Sequence, residues 1–102
     1  MNQRDAIHYI ATRQEFQASA LSGKYETSPI KSGRLDPEGR AVMAKCMDVN
    51  RGLFVVYSYG TPIAWHSSEG WYVVSQKFSQ TTSKHQNLTR RAIAESLEGA
   101  TK

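Results

Sequence analysis

Four side chains in this sequence have the chemistry of metal ligands or of nucleophilic catalysts: His8, Cys46, His66 and His85. A zinc site draws on closely spaced pairs of such residues, because two ligands on one turn can reach the same ion. Here the intervals between them are long, and a single cysteine excludes an intramolecular disulfide. Cys46 as a nucleophile would need an exposed, electropositive setting. Its surroundings, Met43-Ala44-Lys45-Cys46-Met47, read instead as a packed surface. The chain has no Gly-rich phosphate loop, no Gly-x-Ser-x-Gly elbow and no His-Glu-x-x-His. No catalytic residue can be named, and the expectation is a protein that is not an enzyme, with no cofactor and no metal.

Binding chemistry is better represented. Ser79 to Gln86 carries three consecutive hydroxyls, Thr81, Thr82 and Ser83, followed by Lys84 and His85. At a helix N-terminus such residues could hold an anion, because free amides and the helix dipole both favour negative charge. The competing reading is a well-capped helix whose His85 packs against a sheet. Between residues 70 and 94 lie Lys77, Lys84, Arg90 and Arg91 with no Asp or Glu, so the whole net charge of +4 arises there. That stretch could face an anionic partner, or it could be a solvated surface. Trp65 and Trp71 are the large amphipathic rings that could anchor a partner, although Tyr57, Tyr59 and Trp65 also suit a core. The candidate binding residues are therefore Trp65, Trp71, Lys77, Lys84, Arg90 and Arg91, with Thr81, Thr82, Ser83 and His85 at the helix start.

The elements that must position them are readable in outline. Asp5 to about Arg13 has Ala6, Tyr9, Ile10 and Arg13 at three- and four-residue steps, a helical stripe. Phe16, Ala18 and Ala20 fit either an extension of that helix or a strand. Residues 21–33 are polar, with two glycines and Pro29, and Tyr25 and Ile30 are their only large apolar anchors. They read as loop with at most an edge strand. Asp36-Pro37-Glu38 opens a second helix, with Asp36 as cap, and Val42, Met43, Cys46 and Met47 form its buried side. Gly52 can end it with a positive φ.

Leu53 to Tyr59 is the strongest strand, dense in β-branched and aromatic residues. Gly60-Thr61-Pro62 interrupts it, since Pro62 has no amide to donate and suits a bend, bulge or strand start. Ile63 to His66 resumes as a second strand, Ser67-Ser68-Glu69-Gly70 is a hairpin loop, and Trp71 to Val74 is a third. The last helix is expected from about Thr82 to Leu97. Its stripe is His85, Leu88, Thr89, Ala92, Ile93, Ser96 and Leu97, with Gly99 as its stop.

A chain of 102 residues suffices for one domain with one core. The opening residues are polar, and no apolar run nears the ~20 residues of a membrane helix, so the expectation is no membrane and a cytoplasmic location.

Two segments carry a resemblance. Val56-Tyr57-Ser58-Tyr59-Gly60-Thr61-Pro62-Ile63-Ala64-Trp65, then a Gly-Trp hairpin and Thr81-Thr82-Ser83-Lys84-His85-Gln86, resemble a small domain of unknown function encoded by bacteriophages of mycobacteria and other Gram-positive hosts. Phe78-Ser79-Gln80 stands where that pattern usually has Tyr-Ser-x. The likeness covers residues 53–91 and transfers no catalytic residue. It implies a nonstructural phage accessory protein that binds a host protein in the bacterial cytoplasm. The alternative is a small basic nucleic-acid-binding module using residues 77–91. The expected fold is α+β over a single domain, 1–102. Residues 52–98 hold a three-stranded, mostly antiparallel sheet and the C-terminal helix. Residues 1–51 form the helical and loop N-terminal part, and both terminal helices pack on the sheet.

Overall fold

The computed structural model describes residues 3–18, 20–27, 35–46, 52–67, 70–74, 76, 78 and 80–101. Ile30, Met47 and Lys77 lie outside them, as do the side chains of Ser96 and Leu97. The elements are α1 (Gln3–Ala11), β1 (Phe16–Ala18), β2 (Leu21–Glu26), α2 (Pro37–Cys46), β3 (Leu53–Ser58), β4 (Thr61–Ser67), β5 (Gly70–Val73) and α3 (Gln80–Thr101).

The α+β class holds, but the sheet has five antiparallel strands in sequential order rather than three. Of the two additional strands, β1 settles the open choice at Phe16–Ala18 in favour of a strand, and β2 comes from the segment that reads as loop. In Leu21-Ser22-Gly23-Lys24-Tyr25-Glu26 the alternation is real: Leu21, Gly23 and Tyr25 face one side, and Ser22, Lys24 and Glu26 the other. A glycine occupies the middle apolar position because the rings of Phe16 and Phe54 meet over it. A Cβ on Gly23 would lie 2.6 Å from Phe16 Cε1 and 2.8 Å from Phe54 Cζ. The residue that makes room for the core thus removes the hydrophobic signal of the strand, and β2 is an inner strand, not an edge.

β3 is the centre of the sheet, paired with β2 and β4 along its length. A two-residue turn, Tyr59-Gly60, links β3 to β4 with φ of 51° and 78°. Two successive positive φ values mark the type I′ geometry, whose twist matches that of a hairpin. Val56 pairs with Ala64 while Tyr57 pairs with Pro62, so Ile63 is an extra residue on β4. This bulge sets Pro62 beside Tyr57 and turns Ile63 to the same side as Ala64.

The helices cover both faces, a second departure from the expected packing on terminal helices alone. On one face Ala6 and Ile10 of α1 and Ala92 of α3 pack with Phe16, Leu21, Phe54, Val56, Ile63 and Ala64. On the other, Leu35 and Met43 of the α2 region close over Leu53, Val55, Trp65 and Val74. Alternation along β3 explains the division: Phe54 and Val56 serve the first core, Leu53 and Val55 the second.

The helix ends follow local chemistry. Asp36 caps α2, its Oδ1 accepting from the Gly39 amide at 2.8 Å. Gly52, expected to end α2, has a positive φ of 78° directly before β3, and residues 47–51 between it and Cys46 lie outside the described residues. α1 closes on Arg13 in a left-handed conformation, with Arg13 N–H donating to Ile10 O and Gln14 N–H to Tyr9 O, the paired bonds of a Schellman end. α3 starts earlier than expected, at Gln80, and runs through Gly99 to Thr101. A helical glycine costs only about 1 kcal/mol relative to alanine, too little to end a helix by itself.

Candidate functional site

The residues of α3 divide between two stripes. Thr82, Gln86, Thr89 and Ala92 are buried and face the sheet. Lys84, Asn87, Leu88 and Arg91 follow the spacing i, i+3, i+4, i+7, which places them on one side of the helix. They do not turn to the sheet. With Ile7 of α1 they line an open groove of about 270 Å³ between the two helices. Ile7 and Leu88, both half-buried against the core, give it an apolar floor. Lys84 and Arg91, both exposed, stand at its two ends. Arg91 Nε lies 3.7 Å from Glu95 Oε1, one turn on, and the two side chains are 72% and 50% exposed. Such a surface pair contributes about 0–1 kcal/mol, so Arg91 can exchange that carboxylate for another. Among the described residues, none of the side chains lining the groove is acidic.

Of the basic residues singled out in the sequence, the fold therefore joins Lys84 and Arg91 and sets Arg90 apart. One residue before Arg91, Arg90 points about 100° round the helix, where its guanidinium donates to Asn87 Oδ1 at 3.2 Å. Lys77 lies outside the described residues. Ile7, Asn87 and Leu88 are the site residues that sequence reasoning missed. Leu88 reads as one more member of the buried stripe, and Ile7 stands one position off the stripe of α1. The available signal was an apolar residue between two cations seven apart.

The hydroxyl-rich start of α3 is built differently from an anion site. Thr82 is buried, Ser83 half-buried and Thr81 exposed. Ser58 Oγ, on a residue 1% exposed, lies 2.7 Å from His85 Nδ1 and 3.2 Å from Thr82 Oγ1. Thr89 Oγ1 donates to His85 O at 2.8 Å, and Gln86 Nε2 donates to Val74 O at 2.8 Å and Gln76 O at 3.1 Å. The inner stripe of α3 is thus a row of polar side chains pinning the helix to β3 and to the end of β5. Burial holds the His85 pKa below its ordinary value, so the neutral ring is favoured. A serine beside an imidazole is the first half of a nucleophile–base pair. Here the Ser58 hydroxyl is enclosed by the sheet and α3, and the contact serves to dock them.

Of the two tryptophans, Trp65 departs from the expectation. Trp65, expected among binding residues, is fully buried, its ring stacked on Tyr72 at a centroid distance of 4.9 Å. β4 is an inner strand with a core on each face, and Trp65 turns into the one closed by Leu35 and Met43. Trp71 is half-buried and packs edge-on against Phe54 and His66, at 6.1 and 5.3 Å. Among the described residues its buried Nε1 has no hydrogen-bond partner, nor has that of Trp65. The exposed large rings are Tyr25 and Tyr59.

Among the described residues no group of three or more His, Cys, Asp or Glu side chains could hold a metal ion, and no helix is long and apolar enough to cross a membrane. The profile of a family of unknown function (DUF8033) matches residues 9–98, and the chain belongs to that family. No curated protein and no solved structure matches.

Proposed function

For this member of a family without an assigned activity, we propose a phage-encoded, nonstructural accessory protein that binds a host protein in the bacterial cytoplasm and catalyses nothing. The binding face is the outer side of α3 with α1. The likeness of residues 53–91 to small bacteriophage domains supports the origin. The groove supports the mode of action: an apolar floor of Ile7 and Leu88 between Lys84 and Arg91, with no acidic lining among the described residues. Apolar contacts hold a partner, while charges at the margin set encounter rate and orientation.

Nucleic acid is the second reading, favoured by the absence of Asp and Glu from residues 70–94. It is the weaker one. Among the described residues the groove offers two cations, which neutralise few phosphates, and no aromatic ring on which a base could stack. Affinity capture with the tagged full chain from host lysate, with and without nuclease, separates the two. The expected result is one protein that resists nuclease and is lost when Lys84→Glu and Arg91→Glu are combined. A partner released by nuclease, or one that the double variant retains, ends this reading.

A further inference from the structure

The groove also defines what can fill it. Resting on the reading of this face as a protein-binding surface, we propose that its occupant is an acidic amphipathic α-helix of the partner. That helix carries carboxylates seven residues apart, with apolar residues between them.

Lys84 and Arg91 are seven residues apart, about 10 Å along the axis and nearly in line. Leu88 lies between them, and Asn87 completes the stripe. This i, i+3, i+4, i+7 spacing keeps the four on one face, with Leu88 as its apolar member. On α3 it is a second stripe, distinct from the one through Thr82, Gln86, Thr89 and Ala92 that already faces the sheet. Ile7 extends the apolar floor on to α1. A third helix laid between α1 and α3 would therefore bury Ile7 and Leu88 and meet a cation at each end of the contact.

Backbone chemistry selects the helix over an extended segment. The groove is walled by two helices, whose backbone amides and carbonyls are engaged in their own ladders. A strand seated there would find no ladder to join, whereas a helix satisfies its backbone internally. Charge selects the sequence. An acidic side chain one turn before the apolar pair and another one turn after it would face Lys84 and Arg91. At the Arg91 end that side chain would take the place of Glu95, which lies 3.7 Å from the guanidinium in an exposed pair of little energy.

Selection from a displayed library of random peptides of about 16 residues, long enough for helix formation on binding, against the full chain tests this without presupposing a partner. The expected outcome is enrichment of acid-x-x-Φ-Φ-x-x-acid patterns, where Φ is apolar. Selected peptides should gain helical circular dichroism on binding. Combining Lys84→Glu with Arg91→Glu should weaken their binding at least about tenfold, since each attraction becomes a repulsion. Both side chains are exposed, so an unchanged melting curve will show that the double variant folds. Selected peptides that are apolar, basic or extended, yet still require Lys84 and Arg91, overturn the occupant while leaving the groove as the binding face. Peptides indifferent to the charge reversal overturn both. So does an oligothymidylate of about 20 nucleotides that binds more tightly than any selected peptide and loses that affinity in the double variant.

Discussion

At the scale of single residues, the molecule is decided by close fits that leave little slack. Gly23 lies beneath the Phe16 and Phe54 rings with no space for a methyl group. Gly23→Ala should destabilise the fold by roughly 1–3 kcal/mol, because two well-packed rings must shift to admit it. An unchanged denaturation midpoint would mean that the rings adjust freely. Tyr57 presents a different case. Burial, then the charge of Glu26 and a hydrogen bond to it, push the Tyr57 pKa far above its ordinary value. The hydroxyl therefore stays protonated and donates to the carboxylate across β2 and β3. Tyr57→Phe should cost about 1–2 kcal/mol, the range for a hydrogen bond to a charged group moderated by partial exposure. A matched Glu26→Gln variant should lose part of the same energy, and full additivity of the two changes would show them to be uncoupled.

At the scale of elements, legibility depended on whether the local signal and the tertiary role agreed. β3 was plain because Leu53-Phe54-Val55-Val56 is apolar on both faces, as a central strand between two cores must be. α2 was plain because Asp36 and Pro37 mark its start in local chemistry, and the Asp36–Gly39 bond follows. β2 was hidden by Gly23, whose presence answers to rings from two other strands. The second helical cover was hidden because nothing in α2 alone says which sheet face it meets. The candidate site was half legible. Lys84 and Arg91 stood out as charges, but the groove exists only where Ile7 of α1 comes alongside α3. Trp65 was misread because ring type alone does not tell an anchor from a core residue. Asp36→Ala tests the element that was read correctly: loss of the cap should cost about 1 kcal/mol, read as a lower melting temperature. A variant as stable as the parent would show that the Gly39 amide finds another acceptor.

At the scale of the whole molecule, two histidines on the α1/α3 side of the sheet couple stability to pH. His85 meets Ser58 beneath α3, and His66 lies against Trp71 further across the sheet. Both have pKa values below the ordinary value of 6.5, through burial in each case and additionally through the charge of Arg13 for His66. A lowered folded pKa means that, as pH falls, the unfolded chain takes up protons before the folded one does. The contribution of both groups to stability is thus complete above about pH 6.5 and declines below it, through the folded pKa values. The melting temperature should accordingly be higher at about pH 7.5 than at about pH 5. His85→Asn, which can keep an acceptor near the position of Nδ1, combined with His66→Gln, should flatten that dependence without abolishing the fold. The sign matters more than the size, because a histidine stabilised in its charged form would give the opposite slope. A parent protein whose melting temperature is level or rises on acidification through this window would show that the rings beneath α3 and beside Trp71 accept protons as readily folded as unfolded. The Ser58–His85 contact could then no longer be read as a neutral, buried clasp between sheet and helix.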